Sequence, residues 1–367
     1  MRLKRLEHWW RRLWIRLLVR VMRRPPEAAP DWNARPMRVL FLRHDRAGDM
    51  ILSTGVMRAI ARSYATITMD VLASPANAPI LGGADYVGDV VVFDKRRLST
   101  YLPTMRRLRR ARYDAVIDCM ITAPSVTTLL LVAASGAPQR VGIAGRGNDD
   151  ALTITVPAES RPEAQMVDLL AALAAAFGVD PRSIDRRPTI ALTDAERAHA
   201  DSGWSDVWDD VSSRRGPRVL VNVSAGTTAR RWPPERYAAV MEHLHSLDRS
   251  AIFRVIAAPF EADLGQYVAE RAGGRFIATP SIRDAFALVA TADFVFTPDT
   301  SIAHAASAFD TPCVALYLRG TAERWGLYDG VGASFEHSAA TLDDLSVEAV
   351  LPAIDSVWEA RVVSRRA

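Results

Sequence analysis

Segment 292–317, "ADFVFTPDTSIAHAASAFDTPCVALY", contains the residues best suited to binding an anion. An apolar strand pattern ends in Pro-Asp-Thr-Ser, and a helix pattern of small residues follows directly. The N–H groups in the first turn of a helix, together with the helix dipole, favour phosphate. The candidate phosphate-binding residues are Asp299, Thr300, Ser301 and His304. The alternative is a well-capped structural helix in which His304 bonds to the backbone.

A second anion-binding pattern occupies segment 222–237, "NVSAGTTARRWPPERY". A strand pattern gives way to hydroxyls and arginines, and Trp232 with two prolines then opens a helix. Arginine forks match phosphate oxygens in pairs. The candidates here are Ser224, Thr227, Thr228, Arg230 and Arg231. The alternative is a solvated turn with Trp232 as a hydrophobic staple, but two such junctions in one domain favour a diphosphate ligand.

Glu261 follows another strand pattern, in "VIAAPFEADLG". A carboxylate at this position can accept hydrogen bonds from ribose hydroxyls. A glutamate that opens a helix also complements the helix dipole, so this position alone leaves both interpretations open.

An acidic loop follows the first strand pattern, in "RVLFLRHDRAGDM". Ligands of parallel α/β sheets lie outside the carboxyl ends of strands. A carboxylate of this loop, which contains Asp45 and Asp49, can act as a general base; the alternative is an aspartate that caps the following helix. Gly48 is predicted to allow a sharp turn that presents the carboxylate. The remaining polar residues either line the site or fix the loop. These are Arg43, His44, Asp45 and Arg46.

Several common nucleotide and metal motifs are missing from the sequence. It contains neither G-x-x-x-x-G-K-[ST] nor G-x-G-x-x-G, so a P-loop kinase and an ordinary NAD enzyme are unsupported. No two aspartates are separated by a single residue, which removes the metal-binding D-x-D element. His243 and His245 are two positions apart in a helix pattern and face different sides, so they make a poor metal pair. No metal site is predicted.

Alternating strand and helix patterns must position these residues. In the first half, strand patterns occur at residues 38–42, 67–73, 90–93 and 113–119, and 140–145 and 151–156 are short strands or extended turns. Helix patterns occur near 49–64, 105–112 and 165–177, and another ends at 134. The alternation restarts at 218–223 and continues through helix patterns near 234–247, 262–272, 282–291 and 302–309. Such alternation indicates a parallel, doubly wound sheet, and the restart indicates a second one. The predicted fold class is therefore α/β with two Rossmann-like domains.

Length and composition agree with two globular domains. The chain has 367 residues, of which 49% are hydrophobic and 24% are charged, and this length is large for a single core. Its two cysteines, Cys119 and Cys313, are far apart, which argues against a disulfide scaffold or a structural zinc site. The net charge is +4, whereas residues 1–24 alone carry +8. The rest of the chain therefore sums to −4 and shows no nucleic-acid footprint.

Residues 1–24, "MRLKRLEHWWRRLWIRLLVRVMRR", have the pattern of an amphipathic basic helix. One apolar face comprises Leu3, Leu6, Trp10, Leu13, Leu17 and Val21, and it is widened by Trp9, Trp14 and Leu18. The apolar runs are too short to cross a bilayer, and no secretory signal pattern is present. Tryptophans among basic residues favour a helix in the interface of an anionic membrane. The alternative is a helix that docks on its own domain or on a partner.

These patterns also predict the domain boundaries. An amphipathic basic helix at 1–24 is followed by a Pro-rich linker at 25–36 and a Rossmann-like domain at 37–190. An interdomain linker at 191–217, with a hinge at "SSRRGP", leads to a second Rossmann-like domain at 218–345 and to a C-terminal helix and tail at 346–367.

Together the motifs resemble glycosyltransferase family 9, the ADP-heptose:lipopolysaccharide heptosyltransferases, over residues 37–335. Three marks carry the resemblance: the Arg-x4-Gly-Asp loop from Arg43 to Asp49, the block "ARRWPPERYA", and "DTSIAHAASAFDTPCVALY". The resemblance implies the GT-B architecture, in which two Rossmann-like domains face each other across a cleft. It places the acceptor on domain 37–190 and the nucleotide-sugar on domain 218–345. It also implies inverting transfer without a metal ion or other cofactor.

The resemblance also assigns roles by position. Asp49 corresponds to the base that deprotonates the acceptor hydroxyl, and Arg230 to the group that neutralises the departing diphosphate. The acceptor side comprises Arg43, Gly48 and Arg46. The donor side comprises Ser224, Thr227, Thr228, Arg231, Glu261, Asp299, Thr300, Ser301 and His304. Two positions depart from the family pattern: Ser301 stands where the family has glycine, and Arg230 stands where it has lysine.

The expected activity is transfer of a sugar, heptose from ADP-heptose, onto a lipopolysaccharide core or a related surface glycan. The expected location is the cytoplasm, peripheral on the cytoplasmic face of the inner membrane through residues 1–24. The expected partners are a nucleotide-sugar and a lipid-linked glycan, and no nucleic acid. Three alternatives stay open: another nucleotide-sugar such as an N-acetylglucosamine donor, a GT-B epimerase that needs no acceptor, and a non-catalytic membrane-bound scaffold.

Overall fold

The computed structural model describes residues 2–119, 124–158, 161, 164–205, 216–330 and 332–363, with side chains from Trp10 onward except that of Arg11. The chain divides into two units, Met1–Arg186 and Arg187–Ala367. Some predicted features lie outside the described parts. These are the first four residues of the "SSRRGP" hinge, the side chains of Leu3, Leu6 and Trp9, and residues 364–367.

The first unit is built on a parallel six-stranded sheet. Its strands are β1 Met37–Arg43, β2 Ile67–Ala73, β3 Val90–Val92, β4 Ala115–Asp118, β5 Gln139–Ile143 and β6 Ile154–Val156, in the spatial order β3-β2-β1-β4-β5-β6. The central strand β1 pairs with β2 along its whole length and with β4 on its other side. Val39, Leu40 and Phe41 in β1 are fully buried. A continuous apolar run of this kind is what a strand covered on both faces requires.

Helices cover both faces of the first sheet. They are α1 Arg2–Val21, α2 Ala47–Ser63, α3 Tyr101–Ala111, α4 Val126–Ser135 and α5 Met166–Ala171, which continues as a 3-10 helix over Ala172–Phe177. Helix α2 lies in the connection from β1 to β2, whereas α3 and α4 lie in connections that cross the sheet in the opposite direction. Because such crossovers are right-handed, α2 lies on one face and α3 and α4 lie on the other.

The second unit also contains a parallel six-stranded sheet. Its strands are β7 Arg218–Asn222, β8 Ile252–Ile256, β9 Arg275–Phe276, β10 Phe294–Pro298, β11 Cys313–Leu318 and β12 Gly332–His337, in the spatial order β12-β11-β10-β7-β8-β9. Its helices are α6 Asp194–Gly203, α7 Pro234–Leu247, α8 Ala262–Arg271, α9 Ile282–Ala290, α10 Ser301–Phe309, α11 Ala322–Trp325 and α12 Val347–Val357, which continues as a π-helical turn over Trp358–Val363. The predicted α/β class with two Rossmann-like, doubly wound domains is confirmed.

Two helices begin earlier than their patterns predict. Helix α2 starts at Ala47, two residues before the predicted start. Helix α3 starts at Tyr101 and carries Pro103 in its first turn, where the missing N–H of proline costs no intrahelical hydrogen bond.

The segment 191–217, expected to be an interdomain linker, contains helix α6. A capping box starts this helix, in which Thr193 and Glu196 exchange hydrogen bonds between side chain and backbone. Arg283 of α9 binds the carboxylate of Glu196 and lowers its pKa to about 2. Helix α6 therefore packs as part of the second unit.

The Pro-rich segment 25–36 contains no helix or strand, but it is tied to the first unit. Trp32 is buried, its ring centroid lies 4.4 Å from that of Phe177, and its Nε1 donates to the Ala176 carbonyl at 3.2 Å. This segment is thus a fixed connection along the domain surface.

Helix α1 has two apolar sides. Ile15, Leu18, Val19 and Met22 pack into the core of the first unit. On the other side the exposed apolar side chains are Trp10, Leu13, Trp14, Leu17 and Val21. The predicted single stripe included Leu18, which lies on the packed side. The alternative interpretation, a helix that docks on its own domain, therefore holds for one side of α1. Within the described residues, no helix is long and apolar enough to span a membrane.

Candidate functional site

The second sheet has its topological switch point between β7 and β10. These strands are neighbours although 71 residues separate their described ends, Asn222 and Phe294. At a switch point, the connections that follow the two neighbouring strands run to opposite faces of the sheet. A crevice therefore opens outside the carboxyl ends of these strands. The loops after β7 and β10 are the two segments predicted to bind phosphate, so the fold brings them together.

Asn222 joins the two strand ends. Its Nδ2 donates to Thr297 Oγ1 at 2.9 Å and to Thr300 Oγ1 at 3.2 Å. Its Oδ1 accepts a hydrogen bond from the Ser224 N–H at 3.3 Å. Sequence reasoning missed this buried residue. The available signal was a polar residue at the end of the otherwise apolar strand "RVLVN".

Thr300 is the N-cap of α10. Its backbone is extended, and its Oγ1 accepts a hydrogen bond from the Ile302 N–H at 3.2 Å. Thr300 therefore caps the helix, as in the alternative interpretation of this segment as a well-capped helix. The cap leaves Ser301 as the first helical residue, so the positive end of the helix dipole still points toward the crevice.

His304 lies one turn into α10 and is buried. Among the described residues, its Nδ1 has no hydrogen-bond partner, which does not support the alternative in which His304 bonds to the backbone. Burial, and to a smaller extent the charge of Arg230, lowers the pKa of His304 to about 4. The imidazole is therefore neutral near pH 7 and can donate or accept one ligand hydrogen bond through Nδ1.

Arg230 links the two loops. Its Nη2 lies 3.0 Å from Asp299 Oδ2, and its Nη1 donates to the Asp299 carbonyl at 3.3 Å. The carboxylate of Asp299 is buried, whereas the guanidinium is partly exposed. Asp299 therefore positions the guanidinium of Arg230 at the crevice through charge-assisted hydrogen bonding.

Arg231 and Glu261 form a second ion pair at the same edge of the sheet. Arg231 Nη2 lies 2.9 Å from Glu261 Oε1. Glu261 follows β8, the neighbour of β7, and its side chain makes no capping hydrogen bond to α8. Its Oε2 is buried and, within the described parts of the chain, has no hydrogen-bond partner. An acceptor oxygen of this kind is suited to a hydroxyl donor from a ligand.

The other residues singled out in this segment have three different environments. Ser224 is buried, and its Oγ accepts a hydrogen bond from the Ala258 N–H at 2.5 Å, so it connects the loops after β7 and β8. Thr227 and Thr228 are exposed on the loop. Trp232 is a core residue: its ring contacts Tyr237 and Phe296, and its Nε1 donates to the Leu345 carbonyl at 2.8 Å.

The acidic loop of the first unit lies at the switch point of its own sheet, between β1 and β4. Arg43 organises this loop and is buried. Its Nε donates to the Asp49 carbonyl at 3.0 Å, and its Nη1 lies 3.2 Å from Asp45 Oδ2 and 3.4 Å from the Cys119 carbonyl. Arg43 therefore fixes the loop, which was one of its two predicted roles.

Asp49 is the third residue of α2. The N-cap of that helix is Arg46, so the predicted capping role of Asp49 is not observed. Gly48 lies within the first turn of α2 and is not among the glycines with positive φ, so the predicted sharp turn at Gly48 is absent. Burial raises the pKa of Asp49, and the charge of Arg43 partly offsets the rise. A raised pKa makes the carboxylate a stronger base.

Two further polar groups accompany the loop. His44 is buried, with Nε2 at 3.5 Å from Thr128 Oγ1, and burial lowers its pKa. At the end of β4, Asn148 Nδ2 donates to Asp118 Oδ2 at 2.9 Å, and both side chains are buried. Sequence reasoning missed this Asn–Asp pair, because the two residues are distant in sequence and only the pairing of β4 with β5 makes them neighbours. Arg46 is exposed.

Neither cysteine belongs to these clusters as a nucleophile. Both are buried free thiols, and burial raises the pKa of Cys119 to about 12. Among the residues described, no group of three or more His, Cys, Asp or Glu side chains has the arrangement needed to hold a metal ion.

Comparison with known proteins gives related enzymes and related folds. The curated lipopolysaccharide heptosyltransferase 2 of Salmonella typhimurium is 24% identical over 298 residues, which cover 77% of this chain and 82% of that protein. The crystal structure of a family 9 glycosyltransferase from Veillonella parvula matches with a TM-score of 0.76 at 17% identity, covering 90% of this chain and 99% of that one. The ADP-heptose lipopolysaccharide heptosyltransferase II of E. coli matches with a TM-score of 0.68 at 20% identity, covering 90% and 100%. These likenesses confirm the predicted GT-B fold class.

The family model "Glycosyltransferase family 9 (heptosyltransferase)" matches residues 102–341, which is more than half of the chain. That range includes the whole cluster at the second switch point and begins after the acidic loop. The chain is a glycosyltransferase and belongs to family 9, the heptosyltransferase family.

Proposed function

We propose that this protein transfers heptose from ADP-heptose to a lipopolysaccharide-core acceptor, with inversion at the anomeric carbon and without a metal ion. The observation that carries the proposal is the convergence of Arg230, His304 and the N-terminus of α10 at the switch point of the second unit. The name of the E. coli relative, an ADP-heptose lipopolysaccharide heptosyltransferase, supports the choice of donor.

The proposed donor site accounts for the polar groups of the second unit. The diphosphate binds the first turn of α10 at Thr300 and Ser301, with Thr227 and Thr228 supplying hydroxyl donors. Arg230 neutralises the charge that develops on the leaving diphosphate, and Arg231 adds a second guanidinium. Glu261 Oε2 accepts hydrogen bonds from the ribose. Ser224 and Asp299 act indirectly, because one holds the loop and the other holds Arg230.

The proposed acceptor chemistry belongs to Asp49. Its carboxylate takes the proton from an acceptor hydroxyl as that oxygen attacks the anomeric carbon, and the bond to the diphosphate breaks. A single displacement of this kind inverts the anomeric centre. Arg43 holds the loop through the Asp49 carbonyl, and Arg46 contributes an exposed positive charge beside the base.

Metal independence is proposed because guanidinium groups and a helix N-terminus supply the positive charge that a metal ion provides in other transferases. We further propose that the enzyme works in the cytoplasm, peripherally on the cytoplasmic face of the inner membrane through residues 1–24. The basic residues and exposed apolar side chains of α1 support this location.

A donor panel tests the proposed function. ADP-, UDP-, GDP- and CMP-sugars are titrated by calorimetry, and transfer to a delipidated core acceptor is then assayed with and without EDTA. We expect ADP-heptose to bind tightest and transfer to survive EDTA. Preference for UDP-linked N-acetylglucosamine would contradict ADP-heptose as the donor. Conversion of the donor without any acceptor would indicate an epimerase, and donor binding without any turnover would indicate a scaffold.

Replacing Glu261 with glutamine tests the ribose contact. ADP affinity should fall about 5- to 30-fold, because a hydrogen bond to a charged group contributes about 1–2 kcal/mol beyond that to a neutral group. The affinity for 2′-deoxy- and 3′-deoxy-ADP should fall less, since each lacks one of the donating hydroxyls. Calorimetry with all three nucleotides measures this difference. Equal losses for all of them would contradict the contact, and Glu235→Gln on the exposed first turn of α7 is the matched control.

A further inference from the structure

Helices α1, α4 and α3 form one layer on a single face of the first sheet. Both α3 and α4 lie on that face by the handedness of their crossovers. Helix α1 packs on α4, because Val19 and Met22 share a core cluster with Leu129 and Val132. Helix α4 also packs against α3. We call this the α1–α4–α3 layer.

The position of α1 in the layer is fixed by hydrogen bonds at its C-terminal end. The buried guanidinium of Arg140 donates to the Met22 carbonyl at 3.0 Å. The N–H of Arg24 donates to the Asp150 carbonyl at 3.0 Å, and that of Glu27 donates to the Thr153 carbonyl at 2.8 Å. The side of α1 that faces outward is therefore determined by the domain.

The outward side of the layer carries large apolar side chains at both ends. On α1, Leu13, Trp14 and Leu17 are between 43% and 52% exposed, and they recur at helical spacing. In the turn just before α3, Leu98 is 84% exposed, and in the first turn of α3, Leu102 is 55% exposed. Exposed apolar side chains of this size concentrated on one layer indicate an interaction surface.

The same layer holds an excess of positive charge. Residues 1–24 carry +8, and residues 95–112, which include α3, contain eight Arg or Lys and no Asp or Glu. Residues 124–135, which include α4, are uncharged. Because the whole chain is +4, the remaining residues sum to −12. The positive charge of the sequence thus falls in the segments that form this layer, and two of the arginines in 95–112 are ion-paired, Arg97 with Asp94 and Arg107 with Asp89.

We propose that the outward side of the α1–α4–α3 layer binds the surface of an anionic lipid bilayer as one unit. The proposal rests on the membrane location proposed above and extends it from residues 1–24 to α3. Tryptophan and leucine side chains insert at the headgroup boundary, and the flanking arginines meet anionic headgroups. The charge of the surface selects an anionic bilayer over a neutral protein partner. Two separated anchors on one rigid layer also fix the orientation of the first unit on the bilayer.

Vesicle flotation of the full chain tests the proposal. The vesicles are phosphatidylcholine alone or an equimolar mixture of phosphatidylcholine and phosphatidylglycerol, at low and high salt. We expect the wild type to bind only the anionic vesicles and to dissociate at high salt. The α3 variant combines Leu98→Ser, Leu102→Ser, Arg106→Gln and Arg110→Gln and should lower the partition coefficient about tenfold or more. Arg109 is kept, because its guanidinium packs on Gly136 at the end of α4.

Matched variants separate the possible failures. Arg62→Gln with Arg182→Gln removes two exposed charges, one on α2 and one in the segment that follows α5, and should leave flotation unchanged. An α3 variant that floats like the wild type, while Leu13→Ser with Leu17→Ser does not float, would overturn the layer and leave α1 as the sole anchor. A wild type that ignores anionic vesicles, or that self-associates through this face, would overturn membrane binding altogether. Transfer to the delipidated acceptor, measured in parallel, reports separately on the proposed activity.

Discussion

Replacing Asp49 with asparagine is expected to lower kcat by about 10²–10⁴-fold, the usual contribution of a positioned general base. Asparagine has nearly the same shape but cannot accept the acceptor proton. The donor-site residues belong to the second unit, so the affinity for ADP should stay within about twofold of the wild type. The loop should keep its fold, because Arg43 donates to the backbone carbonyl of Asp49, and the substitution leaves that carbonyl unchanged.

Steady-state transfer assays and ADP calorimetry measure the two quantities separately. Asp45→Asn is the matched control, since it makes the same chemical change four residues earlier, in the loop that leads into α2. It should retain kcat within about tenfold. Turnover of the Asp49 variant close to that of the wild type would remove Asp49 from the role of base.

The pH dependence gives a second readout of the same assignment. Only ionised Asp49 accepts a proton, so kcat should rise with pH through a pKa above that of an ordinary aspartate. The negative charge of Asp45 contributes to raising the pKa of Asp49. Asp45→Asn should therefore move the rise of kcat to lower pH, and Asp49→Asn should abolish this pH dependence. If kcat of the Asp45 variant rises at the same pH as that of the wild type, Asp45 and Asp49 are not electrostatically coupled.

The sequence located the elements and the chemical types of the site because both are local properties. Alternating patterns predicted β2 at its observed residues 67–73 and placed α10 near 302–309, within one residue of its observed start at Ser301. The pairings were not predictable. Arg230 with Asp299, and Arg231 with Glu261, depend on which strands become neighbours and on the rotamers of long side chains.

Helices α6 and α1 show two other limits. Helix α6 is mostly polar, so it lacks the apolar periodicity that marks a helix, although Thr193 and Glu196 have capping-box spacing. Helix α1 is apolar around much of its circumference, and periodicity alone gives no way to separate the packed side at Val19 from the exposed side at Leu17.

Replacing Arg230 with alanine is the other change with a large expected effect. Removing one group that stabilises developing negative charge typically costs about 10²–10³ in kcat. ADP affinity should fall as well, since the diphosphate is also charged in the ground state. The larger loss is expected in kcat, because the charge on the leaving group increases as the bond to the sugar breaks.

The alanine variant also leaves the buried carboxylate of Asp299 without its guanidinium partner, and breaking a buried pair can cost about 3–5 kcal/mol of stability. Arg230→Ala is therefore compared with Arg230→Lys, which keeps the charge and introduces the residue expected at this position from the family resemblance. The lysine variant should recover kcat to within about tenfold of the wild type. Thermal unfolding distinguishes a lost charge from a damaged loop. A stably folded alanine variant with wild-type kcat would assign the stabilisation of the leaving diphosphate to Arg231 and the N-terminus of α10.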